Sequence, residues 1–126
     1  MGVSPEVTVQ GGTSQPTQPQ SNADTITVYG LVYDDATGKP INNAYVFILT
    51  PGVTYEQWAN ENYADKYIST YLQTGSDGKY KITGIPRNTE FTLVYSAQGY
   101  YDAYADNQIA GNNDPAEFEL NVGLTK

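Results

Sequence analysis

A chain of 126 residues with 39% hydrophobic and 16% charged positions suffices for one domain with a modest core. Fourteen acidic against six basic residues give a formal charge of -8, which leaves no cationic footprint for nucleic acid and argues against anionic membranes. The absence of His and Cys removes Ser/His/Asp triads, Cys nucleophiles, disulfides and zinc sites built on nitrogen or sulfur.

The chain opens on VSPEVTVQGGTSQPTQPQSNAD, rich in Gln, Thr, Ser, Pro and Gly and poor in core-forming residues. Such a composition cannot offset its own ordering entropy, so residues 1–24 are expected to be a disordered linker and residues 25–126 the domain. A linker at the start implies something attached before it, and the chain reads as the C-terminal piece of a longer protein. No apolar run approaches the roughly 18 residues that span a bilayer, so no membrane insertion is expected.

From Thr25 the texture changes. TITVYGLVYD puts Ile26, Val28, Gly30 and Val32 on one face and Thr27, Tyr29, Leu31 and Tyr33 on the other, which predicts a strand. DDATGKP follows as a turn with Gly38 and Pro40, and INNAYVFIL resumes the alternation through Ala44, Val46 and Ile48. YISTYLQT, KYKITGI and EFTLVYSA are further strands, separated by GSDG and PRNT, where Gly78 and Asn88 suit turn geometry. AEFELNVGL points Phe118, Leu120, Val122 and Leu124 one way. Six or seven short strands without a long 3.6-period segment predict an all-β, antiparallel sandwich or barrel.

Residues 51–67, PGVTYEQWANENYADKY, break the strand period. Thr54 and Gln57 have capping-box spacing and Val53 and Trp58 have staple spacing, which predicts a short helical insertion near residues 54–63. Tyr55, Trp58, Ala59 and Tyr63 would share a face that either closes one end of the sandwich or forms an exposed aromatic platform.

Two blocks carry a family resemblance. Val28, Gly30, Val32, Asp34, Thr37, Gly38, Pro40, Ile41, Ala44 and Val46 follow a V-x-G-x-V-x-D, T-G-x-P, A-x-V pattern. Thr74, Asp77, Gly78, Tyr80, Ile82, Gly84, Ile85 and Pro86 follow T-x-x-D-G-x-Y-x-I-x-G-I-P, ahead of Phe91, Leu93, Gly99 and Tyr100. Over residues 25–124 the chain resembles the carboxypeptidase regulatory-like domains, with Arg87, Asn88 and Thr89 departing from the family turn and the helical insertion lying outside its pattern. The resemblance implies an antiparallel Greek-key β-sandwich of about seven strands, prealbumin-like and related to transthyretin and to collagen-adhesin B-type repeats. It also implies an extracellular or cell-surface location and no catalytic residue. Gly30 is expected to allow a close approach across its strand.

The carboxylate pairs Asp34/Asp35 and Asp102/Asp106 read as solvated charge rather than as an acid/base couple. The acidic turns lack the D-x-D-x-D-G loop of a calcium site, and the lysines are poorly placed for an isopeptide crosslink with Asn121. No cofactor and no metal are expected. Tyr55, Trp58, Tyr63, Tyr101 and Tyr104 form the candidate ligand or protein-contact surface, because ring faces stack on sugars while nearby amides and carboxylates bond hydroxyls. The sequence reading is therefore a monomeric, noncatalytic accessory domain of a secreted bacterial hydrolase, most plausibly a peptidase, whose partners are domains of the same polypeptide. Its alternatives are a carbohydrate-binding module and a surface stalk or adhesin domain.

Overall fold

A computed structural model describes residues 3–6 and 24–126 of the chain. Strand β1 (Val3–Glu6) lies within the expected linker, and the rest of that stretch up to residue 23 lies outside the described residues. Strand β2 (Thr25–Asp34) keeps the expected alternation, with Ile26, Val28 and Val32 buried. The remaining elements are β3 (Tyr45–Leu49), α1 (Tyr55–Asn60), a 3-10 turn (Asp65–Tyr67), β4 (Ile68–Gln73), β5 (Lys79–Pro86), β6 (Phe91–Ser96), β7 (Asp102–Gln108), β8 (Glu117–Glu119) and β9 (Val122–Leu124).

These strands form two sheets, which makes the protein an all-β sandwich with one short helix. One sheet has the order β1-β7-β6-β3-β4, and the other has β5-β2-β8, with β9 also paired to β2. Pairing is antiparallel within the sheets. Among the described residues, parallel pairing is confined to β1 beside β7 and to β8 and β9 beside β2. The AEFELNVGL segment, expected as one strand, is thus split at Leu120–Asn121.

The core fills the space between the sheets. Ile26, Val28, Val32, Ile82, Ile85, Phe118, Val122 and Leu124 face Val46, Ile48, Leu93, Tyr95, Ala103 and Ala105. Strand β6 is buried on both faces, because α1 lies over the outside of its sheet. The split between β8 and β9 is where Gly30 matters: a Cβ there would sit 2.0 Å from the Leu120 carbonyl oxygen. The expected close approach is therefore backbone against backbone, with Leu120 N–H donating to the Tyr29 carbonyl and Leu31 N–H to Asn121 Oδ1. In the PRNT turn, Asn88 takes the left-handed conformation that its side chain tolerates (φ 59°).

Candidate functional site

The outer face of the five-stranded sheet carries most of the exposed aromatic surface. Its centre is covered by α1. Thr54 Oγ1 accepts the Gln57 N–H at 3.2 Å, the first half of the expected cap, and Val53 and Trp58 meet in one buried cluster with Leu49, Tyr55 and Val94. The helix closes this face, not an end of the sandwich, because Val94 and Leu49 point outward and need cover.

The aromatic platform expected on the helix is corrected in part. Tyr55 and Trp58 are only 3% and 4% exposed. The Tyr55 ring stacks on Tyr104 at 4.7 Å, its hydroxyl donates to Asp102 Oδ2 at 2.7 Å, and its N–H donates to Asp106 Oδ1. Burial, with Asp102 reinforcing it, pushes the Tyr55 phenol well above its ordinary value. Trp58 donates its Nε1–H to the Ala64 carbonyl and receives Tyr63 edge-on at 5.1 Å. Tyr63 and Tyr101 are exposed and Tyr104 half-buried, but Tyr101 is tied through its N–H to Thr125 near the chain end. Four of the five candidates thus assemble, mainly as a packed layer.

The Asp102/Asp106 pair is likewise structural, since each carboxylate anchors Tyr55. Asp34 is buried and accepts from the N–H groups of Ala36 and Thr37 and from the Tyr100 hydroxyl at 2.7 Å. The Tyr100 bond, helped by the turn amides, holds its carboxyl below the ordinary value and raises Tyr100 in return. Two buried phenols pass between the sheets: Tyr80 donates to the Leu120 carbonyl at 2.7 Å and lies 2.8 Å from the Tyr95 hydroxyl. Tyr80 has a single proton, so Tyr95 is the donor in the second bond. Burial raises both phenols.

Beyond the helix the aromatic layer opens into a groove at the sheet edge. Tyr45 and Phe47 of β3 stack at 5.6 Å with an interplanar angle of 11°, and Tyr71 of β4 stands 6.2 Å from Tyr45 and 5.9 Å from Phe47. Phe47 also touches Trp58 at 5.2 Å. Together with Asp65, Ile68, Ser69 and Thr70 these rings line a groove of about 550 Å³. Tyr71 is 59% and Tyr45 39% exposed. The sequence reading passed over these residues, although Tyr45 and Phe47 occupy the alternate positions of β3 that a solvent-facing strand would fill with polar groups.

No family model and no curated protein matches the sequence. Solved structures do. 3-Chlorocatechol 1,2-dioxygenase from Rhodococcus opacus 1CP aligns with a TM-score of 0.55 at 13% identity, over 88% of this chain and 64% of that one. Catechol 1,2-dioxygenase from Acinetobacter sp. ADP1 aligns at 0.54 and 15%, over 86% of this chain and 54% of that one. The dioxygenase domain of a dioxygenase and carbohydrate-binding protein fusion from Streptomyces sp. SirexAA-E aligns at 0.50 and 13%, over 95% and 98% of the two chains. The likeness is one of fold.

This chain spans about 64% and 54% of the first two neighbours. Their architecture corrects the resemblance to carboxypeptidase regulatory-like domains, and the prealbumin-like, peptidase-associated reading falls with it. The motif residues behind it are turn glycines, prolines and inward strand positions, which any sandwich of this build requires. The inference to a noncatalytic accessory domain is overturned as well, since the chains that share the fold are enzymes by name. The 2-His-1-carboxylate site of non-haem Fe(II) oxygenases needs two imidazoles and a carboxylate. This chain has no His, and among the described residues no three His, Cys, Asp or Glu side chains are grouped to hold a metal ion. The donor set does not fit such a centre, and no reaction step is derived through one.

Proposed function

We propose that the groove at the β3–β4 edge of this sandwich takes a small planar aromatic compound carrying phenolic hydroxyls. The observation that carries the reading is the triplet Tyr45, Phe47 and Tyr71, three rings within 6.2 Å of one another on an open groove. Offset and tilted rings of this kind offer both faces and edges to a further ring. Asp65, Ser69 and Thr70 supply acceptors along the same groove for hydroxyl protons. The fold neighbours lend support in chemical class, because their names give catechol and chlorocatechol as substrates.

Titration with catechol, followed by Trp58 fluorescence and by calorimetry, tests the reading, since Trp58 touches Phe47, one of the rings that line the groove. Saturable binding is expected. Tyr71→Ala is expected to weaken it roughly fivefold, from loss of about 1 kcal/mol of ring contact, with the melting temperature unchanged. Absence of saturation, or equal affinity in the variant, refutes the proposal.

A further inference from the structure

The register of β3 on β4 brings two tyrosines together at the surface. Phe47 of β3 stands directly opposite Tyr71 of β4, which puts Tyr45, two residues earlier on the same face, diagonal to Tyr71. The two rings are 6.2 Å apart between centroids and tilted by 46°. Taking off the two ring radii leaves facing ring carbons about 3.5 Å apart at their best approach, which is van der Waals contact. Both side chains are exposed, so an oxidant in solution reaches both. Other tyrosine pairs differ. Tyr55, which stacks on Tyr104, is buried, and Tyr80 and Tyr95 are buried between the sheets with their hydroxyls bonded to one another.

We propose that Tyr45 and Tyr71 are a site of oxidative crosslinking, at which a one-electron oxidant joins the two rings by a carbon–carbon bond between positions ortho to their hydroxyls. Each phenol gives up one electron to the oxidant and its hydroxyl proton to water. The two phenoxyl radicals share their unpaired electrons with the ortho carbons, and these carbons form the new bond. The hydrogen on each ortho carbon then moves to the oxygen of its own ring, and both rings regain their aromatic character. The chain ends two hydrogens lighter. With hydrogen peroxide as the terminal oxidant, the electrons and protons leave as water.

Every tyrosine carries the same phenol, so geometry is what selects this pair. Two rings held on neighbouring strands meet at an effective concentration of about a millimolar or more. In a solution of about micromolar protein, coupling within the chain therefore outruns coupling between chains by about a thousandfold. The product ties β3 to β4 covalently on the outer face of the sheet and fixes two of the rings that line the groove. The coupling needs no bound ligand, so its failure leaves the proposed binding function standing, and the reverse also holds.

Treating the full chain at about micromolar concentration with a peroxidase and hydrogen peroxide tests the proposal, read by dityrosine fluorescence, intact mass and peptide mapping. The wild type is expected to gain the fluorescence while remaining a single chain, two hydrogens lighter, with the peptides that hold Tyr45 and Tyr71 joined. Tyr71→Phe keeps the ring and removes the phenol, and is expected to lower the yield about tenfold or more. Tyr29→Phe, which alters an exposed tyrosine on the other sheet, is expected to leave the yield unchanged. Should Tyr71→Phe misfold by circular dichroism, Tyr45→Phe gives the same readout from the other ring. A wild type without the crosslink, links found only between copies or mapped to other tyrosines, or a folded Tyr71→Phe protein that keeps its yield would each overturn the proposal.

Discussion

Replacing Tyr80 and Tyr95 by Phe, singly and together, reads out the direction of the hydrogen bonds between the sheets. Tyr95 is fully buried, and its hydroxyl donates to Tyr80, which donates in turn to Leu120. Tyr95→Phe removes the first donor and leaves Tyr80 bonded to Leu120, so its cost is that of one ordinary bond, about 1 kcal/mol. Tyr80→Phe deprives the Leu120 carbonyl of this donor and strands the Tyr95 hydroxyl with no acceptor, a cost of about 2 to 4 kcal/mol. Adding Tyr95→Phe to Tyr80→Phe then removes the stranded hydroxyl, so the second substitution is neutral or stabilising where alone it destabilises. Urea denaturation of the four proteins at neutral pH measures this cycle. Additive losses, or a larger loss for Tyr95→Phe than for Tyr80→Phe, would refute the donor assignment.

The same two phenols set an alkaline limit. Burial raises both in the fold, so the stability they lend is present below the unfolded value near about 10 and falls as pH rises beyond it. The slope is about 1.4 kcal/mol per pH unit for each phenol that stays protonated, and Tyr95→Phe is expected to reduce the wild-type slope by one such step.

Two further outcomes follow from the fold. Gly30→Ala pushes a Cβ into the Leu120 carbonyl and is expected to cost about 3 kcal/mol, read as a lower urea midpoint; a change below about 1 kcal/mol would mean that β8 and β9 do not hold this approach. Asp34 has its folded value lowered, chiefly by Tyr100, so its contribution is present above the unfolded value near about 3.9 and is lost as pH falls through the folded value. Asp34→Asn is therefore expected to flatten the acid limb of the stability profile, and an unchanged limb would contradict the pairing.

Alternation was enough to read β2 and the inward side of β3, because a period of two assigns residues to faces regardless of what covers them. The cap at Thr54 was legible for the same reason, being local. What lay over each face was not legible. The local pattern leaves Trp58 either closing an end of the sandwich or standing on a platform; the outward-pointing Val94 and Leu49, distant in the chain, are what it covers. Tyr45 and Tyr71 meet only through the register of β3 on β4, which no local pattern specifies. The turn glycines and prolines led to the wrong family because they report backbone geometry, which unrelated sandwiches share.

Aromatic-region NMR of the protein with and without catechol tests the central claim most directly. The account predicts concentration-dependent shifts on the rings of Tyr45, Phe47 and Tyr71, with Tyr80 and Tyr95 unmoved between the sheets. Shifts confined to other rings, or none at all, would contradict it.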